Sequence, residues 1–178
     1  MAEPVESEIK LRISDLEATR EALVRLGATL LRPRHFEDNV FLENEGGTLA
    51  ASDSALRLRR TPMGGSLTFK GPSETAGGVK RRLEIEVFVA DPEGLEAILR
   101  HLGYDRSFRY QKHRESYRWE AVEIEVDETP IGTFLEIEGE ADAIHRAAAA
   151  LGFRPEDYVS DTYVDLFLAG GGQGDMVF

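Results

Sequence analysis

The sequence predicts an α+β fold in which an antiparallel β-barrel carries helices on its outside. Three observations predict it. Charged and apolar residues alternate with period two in segment after segment, the signature of strands. Three of these segments, Glu8-Ile9-Lys10, Glu84-Ile85-Glu86 and Glu136-Ile137-Glu138, each lead into a helical stretch that ends in Leu-Gly. Within a strand the charges are largely of one sign, whereas solubility surfaces commonly mix signs; a barrel with a charged interior accounts for that sorting.

The elements follow in order. Val5 to Ile13 alternates as a strand, and Ser14 with Glu17 predicts a capping box for a helix bearing Leu16, Leu23 and Leu26 and stopped by Gly27. Strands are expected at 38–43, 55–60 and 66–71, with Gly64-Gly65 as a tight connection. Residues 72–81 have the composition of a mobile loop. After Glu84 to Val87, Asp91 and Pro92 start a helix bearing Leu95, Ile98, Leu99 and Leu102, ended by Gly103. Further strands are expected at 109–119 and 121–127 around Glu120-Ala121, giving an antiparallel meander. An alanine-rich helix near 142–151 precedes Gly152. The domain is expected to span 1–169, with 170–178 a glycine-rich disordered tail.

Composition narrows the function. The chain has 178 residues, 42% apolar and 30% charged, which suits one globular domain. A net charge of −12 argues against DNA or anionic membranes as partners, because both require a basic face. With no cysteine, thiolate zinc sites, disulfides and cysteine nucleophiles are excluded. The opening MAEPVESEIK lacks the basic and apolar regions of a signal peptide, and no apolar run reaches the ~20 residues of a membrane span, so a cytoplasmic protein is expected. His35, His101, His113 and His145 lack zinc-site spacing, with His101 and His145 expected on the surface, and there is no P-loop. Trp119 and Tyr117 fall on the strand face opposite Lys112 and Arg114 and are expected in the core. A homodimer is the default expectation.

Alternation places Glu6, Glu8, Lys10 and Arg12 on one strand face and Ile9, Leu11 and Ile13 on the other. Arg57 and Arg59 follow the same rule, as do Arg82, Glu84 and Glu86; Glu123, Glu125 and Asp127; and Glu136 and Glu138. One such strand is an ordinary solvated face, and Arg12, Glu123 and Glu125 fit that reading equally well. So many strands suggest a lined interior. Carboxylates gathered on a concave face repel one another unless a cation sits among them, and all-oxygen ligands suit magnesium or manganese. Arginines and lysines on facing strands suit phosphate oxygens.

At Glu6-Ser7-Glu8-Ile9-Lys10 the chain resembles the CYTH family, the triphosphate tunnel metalloenzymes, whose hallmark is an N-terminal ExExK strand. Arg57-Leu58-Arg59 resembles the family's RxR strand, Thr68-Phe69-Lys70-Gly71-Pro72 its TxKGP segment and Arg82 to Glu86 its RxExE strand. Lys112 to Tyr117 resembles KxRxxY, Asp127 through Glu138 the Asp, GxF and ExE stretch, and Tyr163 to Leu166 the terminal YxDL piece. The resemblance implies an eight-stranded antiparallel barrel open at both ends, with Mg²⁺ or Mn²⁺ held by Glu6, Glu8, Glu136 and Glu138. It implies triphosphate binding by Lys10, Arg57, Arg59, Lys70, Arg82, Lys112 and Arg114. Glu84 and Glu86 would order water, and with Asp127 and Lys10 they make up the candidate catalytic groups. One departure is visible: many relatives have Asp-x-Tyr in the second strand, where this chain has Asp38-Asn39-Val40. The implied activity is hydrolysis of an inorganic, nucleoside or thiamine triphosphate. The alternatives are a class IV adenylyl cyclase and a non-catalytic polyphosphate or nucleotide sensor.

Overall fold

The computed structural model describes residues 4–178. Its elements are β1 (Val5–Ile13), α1 (Leu16–Leu26), β2 (Thr29–Asn44), α2 (Thr48–Ala51), β3 (Ala55–Thr61), β4 (Gly64–Ala76) and β5 (Val79–Val89). They continue as α3 (Pro92–His101), β6 (Tyr104–Trp119), β7 (Val122–Thr129), β8 (Gly132–Glu138), α4 (Ala141–Ala150), β9 (Tyr158–Val159) and α5 (Tyr163–Ala169). Strands β1 to β8 close into an eight-stranded antiparallel barrel in the order β5-β4-β3-β2-β6-β7-β8-β1, with β1 pairing back onto β5. The closing seam is short, running from Val5 opposite Leu83 to Glu8 opposite Lys80. Beyond it, β9 takes up the edge of β1 at Lys10 and Leu11.

The apolar core lies outside the barrel, between its wall and the helices. Ile9, Leu11, Ile124, Val126, Leu135 and Ile137 face outward and pack with Leu23 of α1 and with Ala143, Ile144, Ala147 and Ala148 of α4. A second patch, Val40, Leu42 and Leu58, is covered by Leu95 and Leu99 of α3. Strand period two then forces the alternate residues inward, and these are the charged ones. The helices are fastened by polar contacts as well as by burial. Glu96 of α3, buried at 4% exposure, receives Arg60 from β3 and Arg106 from β6. Among the described residues, no helix is long and apolar enough to cross a membrane.

Several expectations are corrected. The first helix is capped by Asp15, whose carboxylate accepts from the Ala18 amide at 3.0 Å, not by Ser14. Ile13 is still paired to Thr133, so the helix starts one residue later than a Ser14 cap allows. Residues 72–81 are not a loop. They extend β4 and β5 as a hairpin pairing Ser73 with Arg82 and Ala76 with Val79, turned by Gly77 and Gly78 at φ 59° and 80°. Two positive φ values suit the tight turn that matches strand twist, and Pro72 falls within the register shift between Lys70 and Ser73. At the β3–β4 hairpin the turn residues are Pro62 and Met63, and Gly65 serves close approach instead: a Cβ there would meet the Arg59 carbonyl oxygen at 2.3 Å. Strands β2 and β6 each run 16 residues, longer than expected, because register shifts in their mutual pairing break the alternation that sequence reading relies on.

The glycine-rich segment 170–178, expected to be disordered, docks instead. Met176 donates to the Arg109 carbonyl at 2.9 Å and accepts from the Gln111 amide at 2.9 Å, along a stretch of β6 that β7 does not reach. Its side chain is buried against Tyr110, Phe134 and Tyr163. Apolar Met176 and the unpaired edge of β6 supply what the glycines alone do not. In a native-state hydrogen-exchange experiment the Met176 amide should exchange far more slowly than an unstructured amide; an unprotected rate would place the segment in solvent.

Candidate functional site

Two cavities of about 400 and 410 Å³ lie inside the barrel and share Glu8, Arg57, Lys70 and Glu136, where they meet as one tunnel. The first is lined by carboxylates from four strands, Glu6 and Glu8, Glu84 and Glu86, Glu123 and Glu125, and Glu136 and Glu138, with Arg59 and Arg114 among them. The second carries Lys10, Lys80, Arg82 and Lys112, and opens past Phe41, Leu49 and Phe108. The structure therefore brings the expected residues to one interior, but in two chemically different halves.

Register explains the division. Where β1 meets β5, opposite charges face each other: Glu6 across from Arg82, Glu8 across from Lys80. Along β1–β8–β7 like charges face: Glu8 across from Glu138, Glu138 from Glu123, Glu136 from Glu125. Like charges directly opposite repel, so this sector needs a proton or a cation. Burial, together with the facing Glu84 and despite Lys70, pushes the Glu6 carboxyl up to about 10. Glu84 moves the other way: although burial opposes it, the hydrogen bond with Glu6 and the charges of Lys70 and Arg57 bring it down to about 2. The pair thus shares a proton. One Glu6 carboxylate oxygen, Oε2, is buried without a hydrogen-bond partner, Lys70 Nζ standing 3.5 Å away. Burial also raises Glu138, with Glu8, Glu123 and Glu84 adding to it and the Glu6 hydrogen bond opposing.

An all-oxygen donor set with an orphaned oxygen and proton-retaining carboxyls fits a hard divalent cation. The side chains as they stand are arranged around protons and ammonium groups, and no three acidic or histidine groups among the described residues converge closely enough to hold an ion. Glu136 in particular is taken up by Arg114 at 2.5 Å and Lys10 at 3.5 Å.

The basic half is organised around Asp127, which is fully buried and lines neither cavity. Its carboxylate accepts from Arg114 Nε at 2.7 Å and Nη2 at 2.5 Å, from Lys112 Nζ at 2.8 Å and from the Tyr163 hydroxyl at 2.8 Å. Expected as an acidic group beside the metal, it stands behind the wall and fixes the two cations that form it. Arg57 spans both cavities, donating to Thr68 at 3.2 Å with Glu84 and Glu86 each 3.6 Å away; its Nε is buried with no acceptor. Lys70 bonds Glu84 at 2.5 Å, while Arg82 is spent on the Gly71 carbonyl at 2.9 Å. Glu86 accepts from Thr68 at 2.7 Å and from Ser66 at 3.0 Å.

Arg12 leaves the tunnel, its guanidinium lying over Phe134 at 4.6 Å and donating to the Ile131 carbonyl at 3.1 Å. Glu123 and Glu125 stay inside, Glu125 pairing with Arg114 and raised to about 7 by burial and by Asp127, against Arg114. Val40, where the resemblance led to a tyrosine being expected, points away from the tunnel into the cluster under α3. Tyr117 is buried, and half-buried Trp119 donates to the Leu26 carbonyl at 3.1 Å. His145 is half-buried, stacked on Tyr158 at 5.7 Å.

Sequence reading missed Glu37, Asn39, Lys80 and Tyr163. Glu37, 1% exposed, is 3.1 Å from Arg59; burial resists its charge but Arg59, Lys112 and Arg114 hold it well below the usual carboxylate range. Asn39 lay inside the expected strand 38–43 without a role, alternation from it would have exposed Glu37 had β2 been started earlier, and Lys80 was hidden by reading its hairpin as a loop.

A sequence profile described as the CYTH domain matches residues 5–162. A Methanocaldococcus jannaschii protein, provisionally named an adenylate cyclase, is 32% identical over 135 residues, covering 75% of this chain and 76% of its own. A Pyrococcus horikoshii structure is 25% identical with a TM-score of 0.76, covering 90% of this chain and 98% of that one. A candidate adenylyl cyclase of Hippeastrum, described as revealing a dominant triphosphatase activity, is 25% identical with a TM-score of 0.68, covering 93% and 96%.

Two predictions come from this geometry. Glu6 contributes stability that is complete below about 4.5 and lost as pH climbs toward 10, whereas Glu84 contributes above 4.5 and loses it as pH falls toward 2. Thermal melts in chelator should therefore show a melting temperature that declines between about pH 6 and 9, with the decline flattened in Glu6→Gln; an equal slope in both proteins would remove the shared proton. Asp127→Ala, by leaving Lys112 and Arg114 without their shared carboxylate, should cost about 3–5 kcal/mol in urea unfolding.

Proposed function

Because the chain belongs to the CYTH domain family, we propose that it is a metal-dependent triphosphatase that grips a triphosphate inside the tunnel. One observation carries the reading. In the same cavity a buried Glu6 oxygen lacks a donor and the buried Arg57 Nε lacks an acceptor. A cation-bound oxyanion is the kind of ligand that satisfies both at once.

In this reading Glu6, Glu8, Glu136 and Glu138 hold Mg²⁺ or Mn²⁺. The bound ion would neutralise charge on the phosphate oxygens and acidify water. Lys10, Arg57, Arg59, Lys70, Lys112 and Arg114 bind the phosphate chain, with Arg82 and Lys80 at the second cavity's edge. Ion pairing with the carboxylates keeps these cations ordered, so little rearrangement would be needed for phosphate oxygens to take over. Glu84, ionised beside Lys70 and Arg57, and Glu86, bonded by Thr68 and Ser66, are the acceptors left to orient an attacking water. Lys10 faces the same phosphates and would balance charge that builds up during transfer. Asp127 acts by positioning Lys112 and Arg114.

The cyclase reading shares all of this and differs in the nucleophile, a ribose 3′-hydroxyl, with pyrophosphate leaving. The mouth of the second cavity favours an organic triphosphate, because Phe41, Leu49 and Phe108 give a flat ring something to stack on. The Hippeastrum relative, whose structure is described as revealing dominant triphosphatase activity, weighs toward hydrolysis; the provisional naming of the M. jannaschii relative weighs toward cyclisation.

Incubation with ATP, thiamine triphosphate or tripolyphosphate plus Mg²⁺, followed by separation of products, decides between them. Orthophosphate release supports the hydrolase, and cyclic AMP with pyrophosphate supports the cyclase. Glu6→Gln and Glu138→Gln should each lower turnover on the order of a hundredfold. Full turnover in both variants would overturn the assignment of the metal ligands.

A further inference from the structure

The proposed mechanism leaves one sequence motif without a role, Tyr163-Val164-Asp165-Leu166. Asp165 is the cap partner of α5: its amide donates to Thr162 Oγ1 at 3.2 Å and its carboxylate accepts from the Thr162 amide at 3.0 Å. Leu166 packs on the cluster of Tyr110, Phe134 and Tyr163. These two residues fix the start of the helix, and the first residue past the cap is Tyr163, 6% exposed, lining the second cavity.

The Tyr163 ring meets the ammonium groups of two lysines from different strands. Lys10 Nζ lies 4.4 Å from its centroid and Lys112 Nζ 5.4 Å. Its hydroxyl donates to Asp127 at 2.8 Å, the carboxylate that also holds Lys112. The segment just before α5 adds a second hold, Lys10 donating to the Asp161 carbonyl at 3.1 Å. Two ammonium groups brought together repel, and a long lysine stem left to itself samples many rotamers. An aromatic face draws both cations without adding a further negative charge to Asp127 and Glu136, which already pair with them.

We propose that Tyr163 is a positioning residue of the triphosphate site: it presents Lys10 and Lys112 toward the phosphate chain from α5, outside the eight strands. This rests on the triphosphate reading above. The docked segment at Met176 takes part indirectly, because it packs beside Tyr163 and holds α5 in place.

The test compares Tyr163→Leu, which removes the aromatic face, with Tyr163→Phe, which keeps the face and loses only the hydroxyl. Kinetics use tripolyphosphate with Mg²⁺, calorimetry measures tripolyphosphate binding, and thermal melts report folding. Tyr163→Leu should raise KM and Kd roughly five- to tenfold with a much smaller change in kcat, and Tyr163→Phe should recover most of the lost affinity. Should the leucine variant fail to fold, Tyr163→Met fills similar volume without an aromatic face and repeats the comparison. A fall in melting temperature with unchanged KM and Kd would make Tyr163 a core residue only and overturn the proposal. So would a larger loss of affinity in Tyr163→Phe than in Tyr163→Leu. If the unmodified protein neither binds nor hydrolyses tripolyphosphate, the triphosphate reading falls and this proposal falls with it. If the unmodified protein does both and Tyr163→Leu matches it, only the role of Tyr163 is lost.

Discussion

A buried charge is tolerable only where an opposite charge or a proton meets it, and the barrel is built around that constraint. Asp127 is the clearest case. A carboxylate with no solvent contact is surrounded by Arg114, Lys112 and the Tyr163 hydroxyl. Removing the carboxylate or its two cations leaves charge stranded in a low-dielectric interior. The same constraint is only partly met along β1, β8 and β7, where register sets glutamate against glutamate. On the neighbouring β1–β5 side, burial pushes the Glu6 carboxyl up, while Glu84, against its own burial, is brought down by its bond with Glu6 and the charges of Lys70 and Arg57. The chemistry proposed for the tunnel sits at this imbalance, because an uncompensated acidic sector beside ordered cations is suited to a metal-bound polyanion.

The arrangement separates what stabilises the protein from what it does. Apolar residues of the strands face outward under α1, α3 and α4, so most of the hydrophobic burial lies between barrel and helices. The interior is therefore free to carry ions. Some interior groups nevertheless serve both purposes: Arg114 and Lys112 line the cavities, where the proposed reading has them bind phosphate, and also neutralise Asp127.

Much of this was legible in the sequence because alternation is strict where strands pair without interruption. Glu6, Glu8 and Lys10, Arg57 and Arg59, Glu84 and Glu86, and Glu136 and Glu138 were assigned to one face by period alone, and they do share one interior. What escaped depended on geometry that no local pattern encodes. Glu37 sits in a strand whose register shifts hide its start. Lys80 lies beside a Gly-Gly turn that composition alone does not distinguish from a flexible loop. Asp127 follows the same alternation as its neighbours, yet lies behind the wall because two cations and a tyrosine from a distant helix close over it. The segment at Met176 finds an open strand edge that exists only once β7 has ended.

The closing seam between β1 and β5 has a mechanical meaning. It is four residue pairs long, against thirteen between β2 and β6, so it is the thinnest join in the wall. Its β1 side carries Glu6 and Glu8, and Glu84 lies just past it on β5. Whatever is shared between those carboxylates acts as a rivet across that join. A proton is a weak rivet and a multivalent cation a strong one. In the proposed reading, a cation loaded into the acidic sector would therefore also tighten the barrel across this join.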